Sequence, residues 1–176
     1  MPKTQVFPLL YSVLPALMVL CIAGMRFLRH AAERAEAREQ EVRDGRFVCE
    51  YRERGGMADN DLTLTLTVEA DVVKLSVKER LSGEENESIG EYPLPKAAAE
   101  PIVISYIDYK IWKWQDLKKS DLVALDAPAK TLRFESALGV TEFGSDRELP
   151  QHGAGVFGEV YASLNGWYDL FRRARQ

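Results

Sequence analysis

Hydrophobic and polar residues follow three successive patterns along the chain. Residues 6–25 carry no charged side chain, residues 26–44 are rich in Ala, Glu and Arg, and short runs of alternating apolar and polar residues begin at Arg46. An uncharged helix of about 20 residues rises about 30 Å, the thickness of the hydrocarbon core of a bilayer. The first pattern therefore predicts a transmembrane helix over residues 6–28, after a short tail at residues 1–5.

Other interpretations of the uncharged run fit the sequence less well. A cleaved secretory signal has a shorter apolar core, of about 7–15 residues, and a small-residue cleavage site after it. A lipoprotein signal has a small residue before its cysteine, whereas Leu20 precedes Cys21. A buried core helix rarely runs this far without a charge. Pro15 removes a backbone hydrogen bond that a neighbouring transmembrane helix can compensate, so Pro15 is a candidate partner contact.

The charges that flank the uncharged run predict its orientation. Lys3 alone precedes it, whereas Arg26, Arg29, Arg34 and Arg38 follow it. Because cytoplasmic flanks of transmembrane helices carry an excess of Lys and Arg, we expect the amino terminus outside and the large domain in the cytoplasm. A periplasmic domain is the alternative.

Residues 29–45 are predicted to form a charged helical stalk. Ala, Glu and Arg favour helix, and Arg29 and Glu33 have the spacing of an ion pair along one helix face. Gly45 is a natural end for this helix. A solvated linker without helical structure is the alternative.

Residues 46–176 are predicted to form one β-rich extramembrane domain. Leu and Thr alternate over residues 62–68, and residues 73–77 repeat the alternation after a short turn, which predicts a β-hairpin. Similar runs predict further strands at residues 46–52, 88–92, 102–107, 109–114, 121–125, 131–136 and 138–143. This many short strands in about 130 residues predicts a single antiparallel sandwich or strongly bent barrel.

The domain is predicted to end in an amphipathic helix over about residues 157–175. Its apolar positions follow the helical period and are Phe157, Val160, Tyr161, Leu164, Trp167, Tyr168 and Phe171, and Arg172, Arg173 and Arg175 come last. In one interpretation this face covers the open end or groove of the β-structure. In the other, the aromatic side chains reach lipid headgroups and the arginines face anionic lipid.

This order of elements is similar in outline to the pleckstrin-homology-like superfold. The resemblance covers roughly residues 46–176 and lies in a curved antiparallel domain that ends in one helix. The expected fold class is therefore a single transmembrane helix followed by a β-rich, mainly antiparallel sandwich or barrel domain with a C-terminal amphipathic helix.

Residues 106–114 concentrate aromatic and basic side chains. The segment contains Tyr106, Tyr109, Trp112 and Trp114 together with two lysines. As a strand, it would pack one face into the core and leave an aromatic stripe on the other. Because Trp and Tyr are favoured in interfaces and membrane belts, Tyr109, Trp112 and Trp114 are candidate contacts with a partner or a membrane.

Charge and motifs argue against several classes of function. The net charge of −4 and the pI near 5.3 argue against nucleic-acid binding. Residues 153–158 match G-x-G-x-x-G, but no buried strand precedes them and no second β-unit follows, so they are interpreted as a flexible lead-in to the last helix. His30 and His152 are the only histidines and have no metal-ligand spacing. We therefore expect no catalytic residue, no metal site and no cofactor.

These patterns favour a single-pass membrane protein without chemistry of its own. We expect an accessory, assembly or scaffolding subunit of a larger membrane complex, with respiratory and photosynthetic complexes as the expected class. Its partners would be other integral membrane subunits and the lipid bilayer. A membrane-anchored module that binds lipid headgroups or a peptide beside the C-terminal helix is the first alternative, and an enzyme with an unrecognised site is the second.

Overall fold

The computed structural model of the protein describes five stretches of the chain. They are residues 7–55, 60–80, 88–118, 129–150 and 153–174, and the side chains of residues 7–23, 60, 88, 89 and 154 are outside the description. The chain divides into two compact units, Met1–Gln40 and Glu41–Gln176.

One long helix, α1, begins at Phe7 and ends at Asp44. It includes most of the segment predicted as a charged stalk, and Arg29 Nε lies 3.0 Å from the Glu33 carboxylate. The last turn of the helix is closed by Gly45 N, which donates a hydrogen bond to Glu41 O at 3.0 Å. A Cβ atom at Gly45 would lie 2.7 Å from the same oxygen, so this ending requires glycine.

The side chains of the predicted transmembrane segment, residues 6–28, lie outside the described residues as far as residue 23. Among the described side chains, no helix is both long enough and apolar enough to cross a membrane.

The second unit is built on one six-stranded antiparallel sheet. Its strands are β1 (Phe47–Gly55), β2 (Asn60–Glu69), β3 (Val72–Arg80), β4 (Ser88–Leu94), β5 (Ala129–Ser136) and β6 (Gly139–Gly144). The strand order across the sheet is β4-β3-β2-β1-β5-β6. Six of the predicted strands are therefore confirmed, and the predicted strand at residues 121–125 lies outside the described residues.

Two predicted strands, at residues 102–107 and 109–114, are wrong. The first lies in helix α2 (Glu100–Asp108), which has Pro101 in its first turn, where a missing N–H costs no hydrogen bond. Helix α2 is followed by Lys110 in the left-handed region, with φ of 52°. A short 3₁₀ helix (Ile111–Lys113) then replaces the second predicted strand.

The predicted sandwich or barrel is not formed by the described residues. The strands make one open sheet, with β4 at one edge and β6 at the other. The second layer consists of α2 and of helix α3 (Gly153–Ala174), because the residues expected to extend the sheet form α2 instead. A closed barrel like that of the pleckstrin-homology-like superfold is therefore absent from the described part, and the shared feature is a helix after the last strand.

The core lies between one face of the sheet and these helices. Alternation along β2 and β3 buries one row of apolar side chains, including Leu64, Leu66 and Leu75, as the sequence pattern predicts. The centre is aromatic: the rings of Phe47 and Tyr106 are 5.3 Å apart in an edge-to-face arrangement. The opposite face of the sheet is polar, with charged residues on each of the strands β1, β2 and β3 and three threonines on β2.

Helix α3 begins at Gly153, four residues before the predicted start. The glycines at positions 153, 155 and 158 therefore belong to the helix and do not form a flexible lead-in. Gly153 is required by packing, since a Cβ atom there would lie 2.4 Å from Leu149 Cβ. At Gly166 an added Cβ would meet no atom within 4 Å.

We predict opposite effects of alanine at these two positions of α3. Gly166→Ala should raise the free energy of unfolding by about 0.5–1 kcal/mol, because alanine loses less backbone entropy in a helix. Gly153→Ala should lower it by about 1–3 kcal/mol through the clash with Leu149. Denaturant unfolding followed by circular dichroism measures both. A destabilising Gly166→Ala would show that this face of α3 is covered in the folded protein.

Candidate functional site

The aromatic side chains of α3 point towards the sheet. Tyr168 is only 8% exposed, and Trp167 and Phe171 are half-buried against the core. The Phe171 ring stacks on Tyr92 of β4, with ring centroids 4.2 Å apart. These placements favour the interpretation in which the apolar face of α3 covers the sheet.

The basic residues predicted to contact lipid lie at the end of α3. Arg172 and Arg173 are exposed in its last turn, whereas Arg175 lies outside the described residues. The side chain of Pro15 also lies outside them. Contacts of these residues with lipid or with a partner stay predictions.

The aromatic segment at residues 106–114 contributes mainly to the core. Trp114 is 7% exposed and its ring lies 5.3 Å from that of Phe143 on β6. Trp112 and Tyr109 are half-buried against the same cluster. The predicted aromatic stripe on a strand face is wrong, because these residues do not alternate along a strand.

Two tyrosine–glutamate pairs lie between α3 and the inner face of the sheet. The Tyr168 hydroxyl donates a 2.5 Å hydrogen bond to the Glu79 carboxylate of β3, and the Tyr51 hydroxyl donates to Glu53 of β1. Burial, followed by the bond to Glu79, raises the pKa of Tyr168 to about 12. Burial and the bond to Glu53 likewise raise the pKa of Tyr51. Both tyrosines are therefore neutral donors at physiological pH.

Sequence reasoning missed these pairs, although a signal was present. Glu53 and Glu79 occupy positions that the alternation assigns to the buried face of β1 and β3. A carboxylate at such a position needs a donor, since burying a charge without a partner is costly. Tyr51, two residues from Glu53 on the same face of β1, could have been found from the alternation. Tyr168 could not, because it lies 89 residues from Glu79.

The polar face of the sheet carries a chain of ion pairs. Arg46 lies 2.9 Å from Glu69 and 3.0 Å from Glu135, and Arg133 lies 3.1 Å from Glu135. Each such pair near solvent contributes less than about 1 kcal/mol. The chain of pairs makes this face charged and well hydrated, and it leaves few of these cations available to a ligand.

A cleft of about 440 Å³ lies at the β6 edge of the sheet. Its lining residues are Asp116, Leu117, Thr131, Glu142, Phe143, Gly144, Asp146 and Arg147. The segment at Asp116 and Leu117 is held beside the end of β6, because Arg147 Nη1 donates to Leu117 O at 3.2 Å. Glu148 N donates to Lys118 O at 2.9 Å and holds the same segment. Three carboxylates and one guanidinium make the cleft polar with an excess of negative charge.

The remaining reactive groups show no catalytic arrangement in the part of the chain that the structure describes. Cys49 is buried on β1, and burial raises the pKa of its thiol, with Glu50 adding to the shift. A thiol that stays protonated is a poor nucleophile. No group of three or more His, Cys, Asp or Glu residues that could hold a metal occurs among the described residues.

No model of a protein family matches the chain, and no curated protein matches it significantly.

We predict that the Tyr168–Glu79 pair makes stability sensitive to alkaline pH. Because the pKa of Tyr168 is about 12 in the folded protein and about 10 in an unfolded chain, the stabilisation is complete below pH about 10 and is lost as pH rises towards 12. Tyr168→Phe should lower the free energy of unfolding by about 1 kcal/mol at pH 7 and weaken this alkaline decline. Urea unfolding between pH 7 and 11.5 measures both effects.

The matched variant is Glu79→Gln, which retains an acceptor but removes the charge. It should also weaken the alkaline decline. If the free energy of unfolding fell equally at alkaline pH in both variants and in the unaltered protein, the Tyr168–Glu79 pair would not be its cause. The pH dependence would then come from the other buried tyrosines.

Proposed function

We propose that the chain is a single-pass membrane protein that serves as an accessory, assembly or scaffolding subunit of a larger membrane complex. The observation that carries this proposal is the continuity of α1. The helix begins within the uncharged run and continues through the charged segment to Asp44. A bilayer requires the backbone N–H and C=O groups inside it to be paired, and a helix pairs them internally. The uncharged part of α1 meets this requirement.

The residues directly after the uncharged run support a membrane boundary at this point. Phe27 is 74% exposed and Leu28 68% exposed, and both lie between Arg26 and Arg29. Bulky apolar and aromatic side chains interspersed with arginine are typical of the interface between lipid and water. The excess of arginine on this side supports a cytoplasmic location for residues 46–176.

The surface of the second unit supports a role in binding other proteins. Its inner sheet face is occupied by α2 and α3, so contacts with a partner use the polar sheet face, the sheet edges or the outer faces of the helices. The carboxylate-lined cleft beside β6 is one concave feature of this surface. We expect the partners to be other integral membrane subunits.

The test separates the membrane anchor from the role as a subunit. The full chain should stay in the membrane fraction during alkaline carbonate extraction, and a variant that lacks residues 6–25 should be released. In gentle detergent, native mass measurement should give species heavier than the 19.9 kDa monomer, with defined additional subunits. Extraction by carbonate would contradict the anchor. A monomer alone under every mild extraction condition would contradict the role as a subunit.

A further inference from the structure

We propose that the β6 edge of the sheet binds an extended, basic segment of a partner protein, which adds to the sheet as a further strand. This proposal rests on the proposed role as a subunit and names the surface and the chemistry of the contact. It depends on three observations: the outward backbone groups of β6, which have no partner among the described residues, the cleft beside them and the charge of that cleft.

The register shows which backbone groups of β6 face outward. In an antiparallel pair, residues alternate between those that bond to the neighbouring strand and those that point away from it. Ser145 N donates to Lys130 O at 2.8 Å, which fixes the phase of the β5–β6 ladder. Every second residue before Ser145 therefore bonds to β5, which gives Phe143 and Thr141. The residues between them, Val140 and Glu142, direct their N–H and C=O groups away from the sheet.

These outward groups have no backbone partner in another described element. Val140 is 49% exposed, and the side chain of Glu142 is about half exposed. A free edge of this kind is a template for an extended chain, because each backbone group offered by the strand matches one on an added strand.

The opposite edge is a poorer template. In the same alternation, Ile89, Glu91 and Pro93 are the outward-facing residues of β4. Pro93 has no N–H, so an added strand would lose a hydrogen bond at this position. The two edges therefore differ, and β6 is the one that offers uninterrupted donors.

The cleft identifies the chemistry of the added strand. Asp116, Glu142 and Asp146 line it together with a single cation, Arg147. Glu142 lies 3.9 Å from Arg133 and Asp146 lies 4.0 Å from Arg147, which also donates to Leu117 O. Both contacts are long and partly exposed, and Asp116 has no ion pair with any described residue, so these carboxylates can still attract a further cation. A segment with Lys or Arg at alternate positions would place its cations against these carboxylates, while its backbone pairs with β6. The occupant is therefore extended and basic.

The test uses the full chain in nanodiscs and a synthetic ten-residue peptide of alternating valine and lysine. A valine–glutamate peptide and a proline-interrupted valine–lysine peptide are controls. We expect binding of the first peptide only, with slower hydrogen exchange at the amides of Val140 and Glu142. Binding of the acidic peptide with equal affinity, or protection elsewhere, would overturn the proposal.

Matched variants separate the strand edge from the charge. Val140→Pro should weaken binding of the basic peptide about tenfold, because it removes one outward donor without disturbing the pairing with β5. Glu91→Pro makes the same change on the β4 edge and should leave binding unchanged. Val140→Thr keeps the N–H and should also bind normally. Asp116→Asn combined with Asp146→Asn should weaken binding and reduce its dependence on salt. Equal effects of Val140→Pro and Glu91→Pro would overturn the proposal.

Other occupants give distinct results. If the chain's own residues 119–128 or a second copy covers β6, the Val140 and Glu142 amides are protected before peptide is added, and the proposal is overturned. Native mass then separates these two cases. If Val140→Pro leaves the native complex intact, the role as a subunit stands and the β6 contact is wrong. If the protein is always a monomer but binds the basic peptide, the β6 contact stands and the role as a subunit is wrong.

Discussion

Covering one face of an open antiparallel sheet is the constraint on which the rest of the domain depends. The buried rows of β1, β2 and β3 leave an apolar surface that must be removed from water, and α2 and α3 supply the second layer from two distant parts of the chain. Because α2 connects β4 to β5, the chain passes from one edge strand back to the centre of the sheet, beside β1. The positions of the edges, the polar face and the cleft all follow from this arrangement.

Much of the sheet could be predicted from local pattern, whereas its second layer could not. Leu64 and Leu66 alternate with threonines, and this period of two places both leucines on the buried face of the sheet. Residues 102–107 contain β-branched side chains, which favour strands, yet Ile102, Val103, Tyr106 and Ile107 also have the spacing of one helix face. A run this short fits both the strand period of two and the helical period of 3.6. The segment forms a helix because its apolar face packs on the sheet.

The candidate site shows why surfaces are harder to infer than elements. Asp116 and Glu142 come from separate segments, and nothing in the sequence near either residue indicates that they share a cleft. Trp114 and Tyr168, two of the aromatic residues that the sequence suggested as contacts, are buried in the core. The free edge of β6 depends on strand order, which is a property of the whole sheet, and strand order was not accessible from strand positions alone.

The inequality of the two edges has a consequence for stoichiometry. A sheet with two equivalent free edges can be extended from both sides and can link copies into chains of indefinite length. With Pro93 interrupting β4, growth of this sheet is favoured on one side only. Under the proposed pairing at β6, each molecule would accept one added strand, and the sheet would not continue beyond β4. In such an assembly, the proline at the far edge would favour a terminal position for this domain, because an added strand there would lose one hydrogen bond.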